Sequence, residues 1–135
     1  MRKSILIPLT LTLLSISFSP LKAQLFINEW MAVNNDVIAD NFGEYDDWIE
    51  IYNAGTADVD LANYFVTDDL GDPMLWQIPD TAPALTTVPA GGFLILWADK
   101  DEDQGANHID LKLSSNGEAV ALYLPDGSTV VDQVL

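Results

Sequence analysis

The chain has 135 residues, 21 of them acidic and five basic, for a net charge of −16 at pH 7, and it contains no cysteine. That balance excludes binding to a nucleic-acid phosphate backbone or an anionic membrane surface, both of which need a basic face. The lack of thiols excludes disulfides, thiolate metal sites and cysteine nucleophiles.

Arg2 and Lys3 precede an apolar run from Ile5 to Phe18, and Pro20-Leu21-Lys22-Ala23 places a small residue before Gln24. This is the pattern of a secretory signal. The run is short for a membrane span, and no stop-transfer flank follows it. The expectation is a signal peptide over 1–23, removed to leave a domain over 24–135. The product would be secreted, at the cell surface or in the periplasm, with no membrane insertion. Removing Arg2, Lys3 and Lys22 leaves only Lys100 and Lys112 against all 21 acidic residues, a net charge of −19. Such a surface favours basic partners and divalent cations.

Leu25 to Val33 opens the domain as a strand. Asn34 to Asp46 is rich in Asn, Asp and Gly and reads as a loop. Asp47 to Asn53 then alternates at period two: Ile49, Ile51 and Asn53 on one face, Trp48, Glu50 and Tyr52 on the other. Both faces carry bulk, as in a strand covered on two sides. Glu50, between two aromatics, needs hydrogen bonds if buried. It is predicted to accept them from backbone N–H groups of a neighbouring loop. Trp48, Glu50, Tyr52 and Asn53 are thus the candidate structural residues.

Short strands are predicted at Val59–Leu61, Tyr64–Thr67 and Met74–Ile78, with Leu85–Val88 short and extended. Phe93–Ala98 is the most apolar run of the domain and is predicted to be a central strand buried on both faces. Asp99 to Asn107 is an acidic loop. His108–Leu113, Glu118–Leu124 and Thr129–Val134 are predicted as a meander, with Asn116-Gly117 and Asp126-Gly127 in type I′ turns. No stretch has a capped helical period. Eight or nine short strands at turn spacing indicate an all-β sandwich, with a closed barrel as the second choice. The abrupt end at Leu135 suggests a fragment of a longer chain.

Four ordered patches carry a family resemblance: Ile27–Asn34; Asp47–Asn53 with Val59–Leu61 and Tyr64–Asp69; Val88–Leu96; and Leu111–Glu118 running into Ala121–Tyr123 and Asp126–Asp132. They resemble the lamin tail domain, known from nuclear lamins and from many secreted bacterial proteins. The resemblance implies an immunoglobulin-like Greek-key sandwich and a non-enzymatic role in protein or cell-surface contacts, as part of a larger secreted protein. It also implies an alternative, since secreted relatives accompany enzymes such as spore-coat kinase-like proteins and nucleases. This chain could be such an accessory domain. The family usually continues for one more strand and turn beyond the point matching Leu135.

Asp99, Asp101, Asp103 and Asp110 are the candidate metal ligands. Carboxylates at alternate positions can converge on Ca²⁺, which takes six to eight oxygens. The segment departs from the EF-hand pattern in its glycine position and its closing Asp, and a solvated acidic loop is the simpler reading. Asp40, Glu44, Asp46 and Asp47 form a looser second set. A calcium-dependent adhesion or carbohydrate-binding module is therefore the alternative function. Trp30, Trp48, Trp76 and Trp97 could stack on sugars, though core packing accounts for them as well. His108, the only histidine, reads as a strand-edge residue. No nucleophile elbow or metalloprotease helix is present in the sequence, so no catalytic residue is assigned.

Overall fold

The computed structural model describes residues 25–117 and 119–135. The predicted signal peptide and Glu118 lie outside them. In chain order the elements are β1 (Leu25–Met31), β2 (Asp47–Asn53), β3 (Val59–Asp60), β4 (Phe65–Thr67), β5 (Trp76–Gln77), α1 (Pro83–Thr86), β6 (Thr87–Val88), β7 (Phe93–Ala98), β8 (His108–Ile109), β9 (Val120–Tyr123) and β10 (Val130–Val134). A 3₁₀ turn at Glu102–Gln104 interrupts the acidic loop.

Two four-stranded sheets form the sandwich, one in the order β1-β2-β7-β8 and the other β10-β9-β4-β5. β3 and β6 pair separately. The alternation along β2 sets the layers. Ile49 and Ile51 are completely buried, and Leu96 pairs with Ile49 from β7 on the same inner face. Val66, Val120 and Leu122 answer them from the second sheet, and all four residues of β9 are buried. Burying each such aliphatic side chain stabilises the fold by about 1.5–3 kcal/mol.

The predicted three-strand meander is not formed. β8 joins the first sheet, parallel to β7, with Trp97 opposite His108. Only β9 and β10 make the antiparallel hairpin. The chain between β8 and β9 crosses from one sheet to the other, and Leu111 and Leu113 are buried on the way. The type I′ turns are also absent. Gly117 and Gly127 have positive φ but Asn116 and Asp126 do not, and a type I′ turn needs both. Asp126 instead accepts from Ser128 N, Thr129 N and the Thr129 hydroxyl. These bonds, the Thr129 hydroxyl foremost, lower its pKa to about 2. Leu85–Val88, expected to be extended, is split between α1 and β6, where Pro83 starts a single helical turn.

Candidate functional site

The first sheet has an outer face with three cross-strand rows. Phe26, Tyr52 and Phe93 form the first, Glu29, Glu50 and Ile95 the second, and Met31, Trp48 and Trp97 the third, extended by His108. A bulge between Ile27 and Glu29 puts Asn28 beside the second row, where its Nδ2 donates to Glu50 Oε1 at 2.7 Å.

The third row is covered. Trp48 and Trp97 are each only 6% exposed although they point away from the core. The connection from β1 to β2 folds over this end. It begins at Val33, a β-branched residue at φ 68°, a conformation such residues rarely adopt. Val33 N donates to the Asp47 carboxylate at 2.7 Å, which holds the bend. Buried Asn34 shapes the next few residues: its Nδ2 donates to Asp46 O, and its Oδ1 accepts from Val37 N. Asp40 Oδ1 accepts from Phe42 N and Glu44 N, shaping the tip. From that tip the Phe42 ring meets the His108 ring edge-on at 6.0 Å.

His108 lies in β8, the edge strand of the first sheet, but it is buried. Its side chain is 2% exposed, and its ring lies 6.4 Å from that of Trp97, inclined by 26°. Its Nδ1 is 2.5 Å from Asp99 Oδ2, and the Asp99 side chain is 1% exposed. This pair links the end of β7 to β8 beneath the covering loop.

The four predicted metal ligands are dispersed. Asp99 is taken by His108, and Asp110 lies 3.9 Å from Lys100 Nζ. Asp101 and Asp103 flank and enter the 3₁₀ turn as exposed residues. No three of the four bring their oxygens within 4.8 Å of one another. Among the described residues, the set that does converge is Asp40, Glu44 and Asp46. Asp47, grouped with them on sequence grounds, turns away to Val33. Burial raises the Asp46 pKa, and the carboxylates of Asp99, Glu44, Asp40 and Asp101 add to the effect. Gln104 Nε2 donates to Glu44 Oε2 at 2.6 Å, which joins the two acidic loops. Asp40 Oδ2 and Gln104 Oε1 are buried acceptors with no donor. Beside this cluster a cleft of about 550 Å³ runs past Asn34, Tyr45, Asp46, Asp99 and Lys112.

Among the structural candidates, Trp48 and Tyr52 stand in the outer rows. Among the described residues Glu50 does not tie in a loop; its bond is to Asn28 of the adjacent strand. The tie is Asn53, completely buried, whose Nδ2 donates to Ala57 O and Val88 O and whose Oδ1 accepts from Gly55 N. An amide on the face shared with Ile49 and Ile51 is the sequence signal for this role. Of the four tryptophans, Trp48 and Trp97 are buried, Trp76 is partly buried and only Trp30 is exposed. They form no row. The exposed aromatic row comprises Phe26, Tyr52 and Phe93, none of which stands out as a ligand platform in the sequence. The signal that could have found them is a shared period-two position in neighbouring strands.

Residues 19–135 match the family described as Lamin Tail Domain. The chain belongs to the lamin tail domain family. The sandwich described above is the immunoglobulin-like fold of this non-catalytic, protein-interacting family. No curated protein and no solved structure matches the chain. Among the described residues of this lamin tail domain, no helix is long and apolar enough to cross a membrane.

Proposed function

We propose that this lamin tail domain is an exported, non-enzymatic interaction module that binds a protein or cell-surface partner through the first two rows of its outer sheet face. The observation that carries the reading is the exposure of Phe26 and Phe93, 46% and 51%, on either side of Tyr52. Tyr52 and Phe93 stack at 4.8 Å. Contiguous aromatic surface on a small domain marks an interaction site. Export is supported by the charged start, apolar run and small residue ahead of Gln24, and it is checked by the N-terminal sequence of the protein recovered outside the cytoplasm.

A photo-crosslinking side chain at position 93, exposed to the host's cell surface and extracellular proteins, tests the binding surface. One discrete adduct is expected, absent when the probe is at Asp80, an exposed residue after β5. Adducts at neither position would defeat the reading.

A calcium-assisted version is favoured by a separate observation. The donorless acceptors Asp40 Oδ2 and Gln104 Oε1 lie in or beside the carboxylates of Asp40, Glu44 and Asp46. Buried acceptors without donors are costly. A hard cation satisfies several oxygens at once. In this reading calcium pins the β1–β2 connection to the 3₁₀ turn, and the ligands are these residues rather than the set Asp99, Asp101, Asp103 and Asp110.

A further inference from the structure

We infer that the partner of the outer sheet face is a polypeptide that presents arginine to the Phe26–Tyr52–Phe93 row and the Glu29–Glu50 pair beside it. The inference rests on the interaction reading above and names the chemistry of its partner.

Two features of the face point to a cation. Glu29 and Glu50 are direct partners across β1 and β2. Like charges placed opposite each other destabilise a sheet. Asn28 Nδ2 donates to Glu50 but brings no charge to offset the pair. Neither Lys100 nor Lys112 is on these strands, and Lys100 pairs with Asp110. A guanidinium entering from a partner would place a positive charge where two negative ones adjoin.

The neighbouring row selects the kind of cation. Tyr52 and Phe93 lie within 29° of parallel and present a half-exposed aromatic surface one step along the sheet from the carboxylates. Arginine is planar: it stacks on an aromatic ring while its N–H fork engages carboxylate oxygens. Lysine offers a point charge that keeps its hydration more strongly. Rings and carboxylates side by side therefore fit arginine better than lysine.

Charge also rules on the other occupants. A second copy of this domain would bring another net −19 against the same face, and its Glu29 and Glu50 would have to be desolvated against like charge. A basic polypeptide gains from the same field through faster encounter and tighter docking.

The test is a titration of the purified protein at physiological salt with a short peptide of alternating arginine and serine, and with its lysine counterpart. The wild type should bind the arginine peptide about fivefold or more tightly than the lysine one. Phe93→Ala, which changes no charge, should weaken arginine binding about tenfold and abolish the preference. Glu50→Gln should weaken both peptides. Asp80→Asn removes the same charge elsewhere and should change either by less than about twofold. Equal affinity for the two peptides, or a Phe93→Ala variant that binds like wild type, would overturn the inference. The broader reading fails separately. An adduct at position 93 that an excess of the arginine peptide does not suppress leaves the interaction module standing and removes arginine as its determinant. No adduct at positions 93 or 80 removes both.

Discussion

Asn53 Nδ2 donates to the carbonyl oxygen of Val88 at 3.1 Å, joining β2 to β6 across 35 residues. The same amide bonds Ala57 O and accepts from Gly55 N. Its backbone completes the junction: Asn53 N donates to Gly92 O, and Gly91 N donates to Asn53 O. Asn53→Ala should cost about 3 kcal/mol, because the buried bond to Val88 O and two partly buried bonds, to Ala57 O and from Gly55 N, are lost. Asn53→Asp should cost more than Asn53→Ala at pH 7, since a carboxylate would face two carbonyl oxygens. Urea denaturation of the three proteins checks both the size and the order.

Trp48 gives a sharper contrast than most core positions, because its ring is buried on the outward side of a sheet. Trp48→Ala should cost about 3–5 kcal/mol. Trp30→Ala, at a more exposed ring, should cost less than half as much. Equal midpoints for the two variants would mean that the β1–β2 connection does not cover Trp48 in solution.

Val33 holds a left-handed backbone conformation that its β-branched side chain opposes. Its side chain is exposed, so replacing it removes little packing. Val33→Asn should raise stability by about 1 kcal/mol, since asparagine tolerates this region. A melting temperature below that of wild type would show that Val33 is not strained in this way in solution.

Asp46 offers a test of the cation that depends on pH. Burial and four neighbouring carboxylates hold its pKa above the ordinary range in the folded state. A carboxyl group raised in this way opposes folding when ionised. The penalty is absent at low pH, where the folded and unfolded chains are both protonated. It appears as pH rises through the unfolded value and is complete above the folded one. Without calcium, Asp46→Asn should therefore melt higher than wild type at pH 7, and the two should converge near pH 3. With millimolar calcium the order should reverse at pH 7, because only the wild type gains binding energy by mass action. A calcium response that survives in Asp46→Asn would place the cation elsewhere.

The strands that could be read from the sequence are those that alternate or stay apolar over a whole run. Asp47–Asn53, read from its period-two alternation, and Phe93–Ala98, read from its unbroken apolar run, are found with the predicted bounds, but Phe93–Ala98 is not buried on both faces, since Phe93 is 51% exposed on the outer one. The pairing of β8 was not legible. Two residues carry no period, and nothing local distinguishes a parallel partner in one sheet from an antiparallel partner in the other. The acidic cluster was half legible. Composition grouped Asp40, Glu44, Asp46 and Asp47, of which Asp47 turns away to Val33, and the convergence of the other three beside Gln104 depends on a loop folding across 60 residues of sequence. The loop tie expected of Glu50 falls to Asn53 for a simple reason. A bulge in β1 brought Asn28 to Glu50, while the inward face left Asn53 with three unmet backbone groups.

Ile27 N, near the start of β1, donates to Asp132 Oδ2 in β10 across 105 residues. The first described strand is thus fastened by β10, the last described one. Ordering so long a span carries a large closure entropy, and contacts of such separation slow folding to the millisecond-to-second range typical of sandwiches. While a chain of this topology is being synthesised, β1 lacks its Asp132 acceptor until nearly the whole domain has emerged. Its exposed N–H groups and apolar side chains are then available to other chains, so the interval before β10 appears is when this protein is most prone to aggregate.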